Sequence, residues 1–270
     1  MTEMRLVVLG AGGRMGRMLV RAVASEPGSR LHAALERPGS DCLGQDPGPL
    51  AGIPATGLVI TDDIAAALDG ADGLLDFTTP EATLALARRT AELGLIHIIG
   101  TTGMTAAQLE ELRGITGKAR IVQSGNMSLG VNLLASLVRR AARSLGPDWD
   151  IEVLEMHHRM KVDAPSGTAL LLGEAAAEGR AIDLAEHSVR VRDGHPGARR
   201  AGDIGFATLR GGSVIGEHAV IFAAEGERIE LTHRAEDRGL FARGALRAAL
   251  WVREQPPGYY TMADVLGLAD

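Results

Sequence analysis

The sequence predicts two domains of different class: a doubly wound α/β domain with a parallel sheet, and an α+β domain with an open mixed or antiparallel sheet. Three observations support this. Strand and helix patterns alternate over the first 127 residues, a long helix and several strands follow, and a helical pattern returns at the end. A length of 270 residues suits two domains. We therefore predict a first domain of residues 1–127 and 239–270 and an inserted domain of residues 128–238.

The first half begins with an apolar run at 4–9, a glycine cluster and a helical pattern at 14–24, and the run at 31–35 completes a βαβ unit. Further strands are predicted at 73–77, 95–100 and 119–123, with helices at 80–93 and 105–118. The glycine- and proline-rich stretch 37–57 is predicted to be an irregular surface excursion.

The second half has a different texture, which predicts an α+β layout. Its expected elements are a helix at 128–145, a strand at 150–158, a helix at 166–179 capped by Ser166, and three consecutive antiparallel runs at 187–193, 204–210 and 218–235. The last run is split by a turn at Glu225–Gly226. The final helix, at 239–254, is expected to pack back on the first domain.

Composition narrows the possible partners. The formal net charge is −6, which argues against nucleic acid or an anionic membrane as the main partner, because both require a basic face. Cys42 stands alone, so no intrachain disulfide and no cluster of soft metal ligands is expected. The amino-terminal residues lack the pattern of a secretory signal, and we expect a cytoplasmic protein without a metal centre.

A glycine motif joins the first strand to the first helix. Gly10, Gly13 and Gly16 form G-x-x-G-x-x-G, where backbone N–H groups and the helix dipole can face a pyrophosphate. Glu36, at the end of the second strand, is placed to accept the ribose hydroxyls of NAD, and Arg37 to neutralise the 2′-phosphate of NADP. The alternatives are a plain tight turn and two solvated charges at a strand end.

Three more strands end in small or polar residues, at 76–80, 100–103 and 124–128. Ligands of open α/β sheets bind at the carboxyl ends of the strands, so these segments are expected to contribute to the same site. The alternative is ordinary helix capping, which we expect of Thr105 and Ser128 in any case.

The densest chemistry lies between residues 155 and 169. His157 titrates near neutrality and can donate a proton, and Lys161 is a cation that can polarise or protonate a substrate nitrogen. The N–H groups of Gly167 and Thr168 open a helix and offer a site for a carboxylate. The alternative is one core histidine, one exposed histidine and a surface lysine. A metal site at His157 and His158 is disfavoured, because adjacent strand residues point to opposite faces.

Three other residues remain harder to place. His218 and His233 lie on predicted strands and are interpreted as packing or interface residues rather than catalysts. No role is predicted for Arg210.

These motifs together resemble the 4-hydroxy-tetrahydrodipicolinate (dihydrodipicolinate) reductase family over essentially the whole chain. The resemblance rests on the segments VLGAGGRMG (8–16), Glu36-Arg37, DFTTPE (76–81), GTTG (100–103), GNMSLGVN (125–132), E-M-H-H-x-x-K-x-D-A-P-S-G-T-A (155–169) and RGGSVIGEH (210–218). The 155–169 block is the most specific of them.

The resemblance implies a Rossmann-type first domain, hydride transfer from NADH or NADPH to a small cyclic dicarboxylate, and a homotetramer built through sheets of the second domain. His157 resembles the family's proton donor and Lys161 its catalytic lysine, while His158, Gly167 and Thr168 resemble substrate contacts. The dinucleotide contacts are implied to be Gly10, Ala11, Gly12, Gly13, Arg14, Met15, Glu36, Arg37, Gly100, Thr101, Thr102, Ser124, Gly125, Asn126 and Met127. The alternatives are another two-domain amino-acid dehydrogenase and a non-catalytic NAD(P)-sensing regulator.

Overall fold

The structure is a computed structural model that describes residues 3–115 and 117–268. Its described residues divide into two compact units. Unit 1 comprises the chain up to Leu129 together with the chain from Gly239 onwards, and unit 2 comprises Gly130–Arg238.

The described residues form strands and helices that are numbered here in chain order. The strands are β1 (Met4–Leu9), β2 (Ser29–Leu35), β3 (Ile60–Thr61), β4 (Gly73–Asp76), β5 (Ile96–Ile99), β6 (Arg120–Gln123), β7 (Asp150–His157), β8 (Ser188–Val189), β9 (Ile204–Arg210), β10 (Gly216–Ala224), β11 (Glu227–Ala235) and β12 (Gly258–Tyr260). The helices are α1 (Arg14–Ser25), α2 (Pro47–Leu50), α3 (Ile64–Leu68), α4 (Pro80–Leu93), α5 (Ala106–Gly114), α6 (Leu129–Ser144), α7 (Gly167–Arg180), α8 (Leu184–His187), α9 (Gly239–Val252) and α10 (Met262–Val265).

Unit 1 is built on a parallel sheet with the strand order β12-β6-β5-β4-β1-β2-β3. Strands β4 and β5 are buried along their whole length, as expected of a sheet with helices on both faces. The chain leaves β1 toward β2 on one side and returns to β4 on the other. This reversal makes the carboxyl ends of β1 and β4 the switch point at which such sheets bind ligands.

Local sequence signals explain where the helices of unit 1 begin. Thr79 caps α4 by accepting a hydrogen bond from the Ala82 N–H, and Pro80 occupies the first turn. Thr105 and Gln108 form a reciprocal capping box at the start of α5. Helix α9 packs against α1, so the carboxyl-terminal segment completes the core of unit 1.

Unit 2 contains a mixed sheet with the strand order β11-β10-β7-β9-β8. Burial alternates along β7 and most of β10, and the buried side chains form one core with those of α6 and α7. Val153, Val220 and Phe222 are fully buried in this core. Strands β10 and β11 form a hairpin whose two-residue turn is Glu225–Gly226, as the sequence predicts.

The parallel α/β sheet and the second, mixed sheet confirm the predicted fold class. The expectation of consecutive antiparallel strands is wrong for two of them, since β9 pairs parallel to β7, and β8 pairs parallel to β9. The connection from β7 to β8, residues 158–187, includes α7, and residues 190–203 connect β8 to β9. Both connections are long enough for the chain to re-enter the sheet in the same direction.

Other differences concern short elements and element ends. Of the predicted strand at 187–193 only Ser188 and Val189 pair, because α8 precedes them and charged residues follow. The predicted helix at 105–118 ends at Gly114, and residue 116 lies outside the described residues. Hydrophobic periodicity cannot predict elements of only two to five residues, and β3, β12, α2, α3 and α10 are therefore not predicted from the sequence.

No helix within 3–115 or 117–268 combines the length and apolar character needed to cross a bilayer.

Candidate active site

The glycine motif of unit 1 forms a tight turn between β1 and α1. Gly10 has a φ of +64°, a conformation that L side chains rarely adopt. A Cβ on Gly16 would lie 2.0 Å from the carbonyl oxygen of Gly10, so α1 approaches the turn more closely than a side chain permits. Gly13 caps α1 without a side chain, which leaves the helix start suited to an anionic group.

The other residues of this turn differ in their exposure. Ala11 is buried and its N–H donates to the carbonyl oxygen of Leu35, which ties the turn to β2. Arg14 is exposed at the start of α1, and Met15 is half-buried against the core. Of these residues, Arg14 therefore offers an exposed cation beside the glycine turn.

Glu36 brings a carboxylate to the glycine turn. Its Oε1 accepts a hydrogen bond from the Gly12 N–H at 3.1 Å, and its Oε2 accepts one from the Arg37 N–H at 3.1 Å. Cys42 packs closely enough that a Cβ on Gly12 would lie 2.4 Å from its Sγ. Arg37 is exposed. Glu36 and the exposed Arg37 are therefore consecutive residues just beyond the carboxyl end of β2.

A buried polar network lies at the ends of β4 and β5. Asp76 accepts hydrogen bonds from the Thr78 hydroxyl at 2.6 Å and lies 3.2 Å from Nε2 of His97. Burial acts to raise the pKa of Asp76, but the bonds from His97 and Thr78 hold it below its usual value. Thr101 joins the network through its hydroxyl and is 2% exposed, whereas Thr102 is exposed. Thr101 therefore supports this strand end from within.

The predicted residues at the ends of β5 and β6 are also brought to this edge of the sheet. A Cβ on Gly100 would overlap the ring of Phe77 at 2.2 Å. Ser124 donates from Oγ to the carbonyl oxygen of Asn126, and Gly125 between them is exposed. Met127 is 1% exposed, so its side chain belongs to the apolar core.

Unit 2 holds a cluster centred on the buried carboxylate of Glu155. Nδ1 of His157 lies 2.5 Å from Oε2 of Glu155, and the Ser166 N–H donates to Oε1 at 3.0 Å. Arg210 binds both oxygens, at 2.8 and 2.9 Å. Burial acts to raise the pKa of Glu155, but these hydrogen bonds hold it below its usual range. Glu155 is therefore an anion that links the histidine, the arginine and the start of α7.

His157 is held with its second nitrogen free of the carboxylate. Because Nδ1 faces Glu155, Nε2 is the atom left for a substrate, and a Cβ on Gly216 would lie 3.0 Å from it. Burial lowers the pKa of His157 although Glu155 opposes the shift. The neutral ring with a proton on Nδ1 can accept a proton at Nε2 and deliver it in turn.

His218 packs edge-on against His157, with ring centroids 5.0 Å apart. Its Nε2 lies 3.1 Å from Oγ of Ser166, and its buried Nδ1 has no partner among the described residues. Burial and the neighbouring His157 lower the pKa of His218 to about 4. His218 therefore supports the cluster as a neutral ring near pH 7.

The start of α7 opens beside this cluster. Ser166 is buried and caps the helix by accepting a hydrogen bond from the Ala169 N–H at 3.1 Å. Gly167 is exposed, and a Cβ there would meet no atom within 4 Å. Thr168 is half-buried. The first turn of α7 thus faces free space that an anionic group can enter.

The loop after β7 carries the remaining predicted residues. Nζ of Lys161 pairs with Oδ1 of Asp163 at 2.9 Å, and its backbone N–H donates to the carbonyl oxygen of His158. Nε2 of His158 lies 3.1 Å from a terminal nitrogen of Arg238. Unit 2 therefore brings the guanidinium of Arg238 to the His158 ring, and it holds Lys161 in the same loop by a backbone hydrogen bond to His158.

Sequence reasoning missed Glu155, Arg210 and Arg238. Glu155 carried a usable signal, because residues two apart on a strand share a face and His157 had already been singled out. Arg210 begins the segment 210–218 that supports the resemblance, but nothing in that segment indicated its partner, and Arg238 carried no signal. Each of the two arginines contacts a residue far away in the chain. Among the described residues, no three His, Cys, Asp or Glu side chains come together to bind a metal.

Comparisons with known proteins agree on one family. Models of the N-terminal and C-terminal parts of dihydrodipicolinate reductase match residues 4–127 and 130–266. The 4-hydroxy-tetrahydrodipicolinate reductase of Rhodopseudomonas palustris (strain BisB18) is 62% identical over 270 residues and covers 100% of both chains. That of Afipia carboxidovorans is 60% identical over 268 residues, covering 99% of this chain and 98% of its own.

A solved structure supports the fold. The dipicolinate-bound dihydrodipicolinate reductase from Paenisporosarcina sp. TG-14 superposes with a TM-score of 0.77 at 24% identity, over 97% of this chain and 99% of that one. A myo-inositol dehydrogenase from Corynebacterium glutamicum superposes with a TM-score of 0.56 at 14% identity, over 94% of this chain and 90% of that one. With both halves of the chain matched to the models, the chain belongs to the dihydrodipicolinate reductase family.

Proposed function

We propose that this chain is an NAD(P)H-dependent 4-hydroxy-tetrahydrodipicolinate reductase of diaminopimelate and lysine biosynthesis. The observation that carries the proposal is the cluster of unit 2, in which His157, oriented by Glu155, lies beside the open start of α7. Full-length relatives at about 60% identity support the same reaction. In this reaction the 4-hydroxyl group leaves as water, and the hydride adds to the carbon that carried it, by conjugate addition to the unsaturated cyclic imine dicarboxylate. The ring takes up one proton as the hydride adds, and the product, tetrahydrodipicolinate, keeps a C=N bond.

Unit 1 is proposed as the dinucleotide-binding domain, with the boundaries 1–127 and 239–270. The nicotinamide, when bound, supplies the hydride. The glycine turn from Gly10 to Met15 fits a pyrophosphate, because Gly10, Gly12 and Gly13 carry no side chains and Gly13 caps α1 without one. Glu36 is proposed to bind the ribose and Arg37 a 2′-phosphate, so both NADH and NADPH are expected to serve. Gly100–Thr102 and Ser124–Met127 complete the site at the same edge of the sheet.

Unit 2, residues 128–238, is proposed to bind the substrate. One carboxylate docks on the N–H groups of Gly167 and Thr168, and His158 and Arg238 add positive or polar contacts. His157 and Lys161 supply the proton that the substrate nitrogen gains as the hydride adds to carbon. Arg159 is exposed on the same loop and contributes to the local positive charge.

Kinetic measurements distinguish the proposed activity from two alternative functions. Another amino-acid dehydrogenase would oxidise or reduce a different substrate, and an NAD(P)-sensing regulator would bind the cofactor without turnover. Steady-state rates with enzymatically generated substrate and each of NADH and NADPH, followed at the nicotinamide absorbance, test reaction class and cofactor choice together. No oxidation of either cofactor by the folded protein would exclude the proposed activity.

A homotetramer in the cytoplasm is proposed from the family resemblance. The sheet of unit 2 supports it, because the face away from α7 carries Leu154, Met156 and Leu209, and Leu209 is 48% exposed. Size-exclusion chromatography with light scattering measures the assembly directly, and a monomeric mass would contradict it. The acidic net charge supports neither nucleic acid nor a membrane as partner.

Arg37→Ala is expected to weaken NADPH selectively, because only NADPH carries the phosphate that the guanidinium would bind. Removal of a charge-assisted contact predicts a loss of about tenfold or more in NADPH affinity. Glu36→Ala is expected to harm NADH more. Fluorescence titrations of both cofactors check the ratio, and an equal loss for both in Arg37→Ala would mean that Arg37 only supports the loop.

Gly167→Val is expected to raise the KM for substrate steeply and to abolish inhibition by pyridine-2,6-dicarboxylate. Since a Cβ at Gly167 meets no atom within 4 Å, the variant should fold and fill only the space that the carboxylate needs. NADH affinity should stay within about a factor of two, because it depends on unit 1. Thermal unfolding serves as the control. Normal inhibition of a folded variant would place the carboxylate site elsewhere.

A further inference from the structure

A cleft of about 660 Å³ in unit 1 is lined by four arginines. Arg5 lies on β1 and Arg30 on β2, in each case one residue after the strand begins, and Arg120 is the first residue of β6. Arg253 follows α9. Because the strands are parallel, the cleft lies at the amino ends of the sheet, the edge opposite the glycine turn at Gly10.

The cleft is positively charged in an acidic protein. Among the described residues that line it, the carboxylates are Glu3 and Asp72, against four guanidinium groups. Asp72 pairs with Arg5 at 2.9 Å, and this bond, opposed by partial burial, keeps the pKa of Asp72 below its ordinary value. The chain as a whole carries −6. A net positive cleft on such a surface focuses the field that attracts small anions.

Two of the arginines have no carboxylate partner within the described residues. Arg30 is exposed and makes no ion pair there. Arg120 is half-buried, and its Nε donates to the carbonyl oxygen of Gln255, which leaves both terminal nitrogens without an acceptor in that part of the chain. A partly buried guanidinium is stabilised most strongly by a hydrogen bond to an ionised acceptor.

The register of the sheet sets the spacing of these charges. Arg5 and Arg30 are direct partners on neighbouring strands. Strand β6 is the third strand from β1 on the other side, so at about 4.8 Å per strand the backbone of Arg120 lies about 14 Å from that of Arg5. The guanidinium groups of Arg5 and Arg30 therefore lie at one end of the cleft, and that of Arg120 lies toward the other end.

From this arrangement, we infer that the cleft binds a small molecule carrying at least two anionic groups, either carboxylates or phosphates. One group contacts Arg5 and Arg30, and another contacts Arg120. The inference goes beyond the proposed function, because none of these residues belongs to the proposed cofactor or substrate sites.

Isothermal titration with tripolyphosphate and with citrate tests the inference and separates phosphate from carboxylate ligands. The full chain is saturated with NADPH and pyridine-2,6-dicarboxylate, so that the proposed pyrophosphate, 2′-phosphate and carboxylate sites are all occupied. At low ionic strength we expect one site per chain with a dissociation constant below about 1 mM for at least one probe. Added salt should weaken the binding, because ions screen the attraction between the arginines and the anionic probe.

Variants decide whether the binding belongs to the cleft. Arg30→Gln and Arg120→Gln are each expected to weaken the probe by about tenfold. Arg30→Gln is expected to fold normally, because the side chain of Arg30 makes no hydrogen bond or ion pair with a described residue that the substitution would remove. Weaker binding by this variant therefore cannot be attributed to misfolding. The matched control is Arg89→Gln, an exposed arginine on α4 that pairs with Glu92 outside the cleft. Absence of binding up to about 10 mM, or equal binding to all variants, would overturn the inference.

Discussion

Lys161→Ala is expected to lower kcat by about 10²–10⁴ while NADH affinity stays within about a factor of two. The lysine lies in unit 2 on the loop after β7, paired with Asp163 at 2.9 Å, and its side chain is only 21% exposed. Its removal takes a cation and proton donor from the substrate without touching the dinucleotide residues. Steady-state kinetics and cofactor titrations on the same preparation separate the two effects.

Two further variants show which property of Lys161 matters. Lys161→Arg keeps the positive charge but supplies a group that does not give up its proton in proteins, so it should restore substrate binding more than kcat. Lys118→Ala, on the exposed surface of unit 1, is the matched control and should leave both constants unchanged. Near-normal turnover of Lys161→Ala would remove the lysine from the proposed mechanism.

Most of the fold followed from local signals in the sequence. The glycine turn after β1, the Thr79-Pro80 start of α4 and the Glu225–Gly226 hairpin each depend on neighbouring residues, so a single chain suffices to predict them. The direction of β9 did not follow. Whether a strand pairs parallel or antiparallel depends on its partner and on the path of the connection, and the residues of the strand alone determine neither.

The candidate site divides in the same way. His157, Lys161 and Gly167 lie close together in sequence, and a motif could point to them. Arg210 reaches Glu155 from 55 residues away, and Arg238 reaches His158 from 80 residues away. The first contact arises when β9 and β7 pair in register, which aligns Arg210 with His157, and the second when the chain after β11 returns to the end of β7. Only the folded chain reveals them.

Arg210→Met is expected to lower the free energy of unfolding by about 3–5 kcal/mol at pH 7, because it leaves a buried carboxylate without its bidentate partner. Glu155 is 1% exposed, so water cannot replace the two lost hydrogen bonds. The matched control is Arg192→Met. Arg192 also binds a glutamate of β7 through two nitrogens, but Glu152 is 28% exposed, and a loss of about 1 kcal/mol or less is expected.

The pH dependence of this loss has a defined sign. Because the pKa of Glu155 is lowered in the folded protein, its stabilising contribution is present above the ordinary value of 4.5 and disappears as the pH falls through the folded pKa. The difference between wild type and Arg210→Met should therefore be largest at neutral pH and shrink below about pH 4.5. The lowered pKa of His218 also means that the unfolded state binds a proton before the folded state does, so both proteins lose stability as the pH falls from about 6.5 to 4. The difference between the two proteins is therefore the quantity to measure.

Kinetics distinguish a positioning role for Arg210 from a purely structural one. The guanidinium acts to lower the pKa of His157, so its removal should move the limb of the kcat/KM profile that reports His157 to higher pH. Arg210→Lys, which keeps the charge but not the paired N–H donors, should restore the position of that limb more than it restores stability. Loss of stability with an unmoved pH profile would assign Arg210 to the fold alone. A shifted profile in a variant that is still folded at the assay temperature would show that Arg210 acts on the reaction through Glu155 and His157.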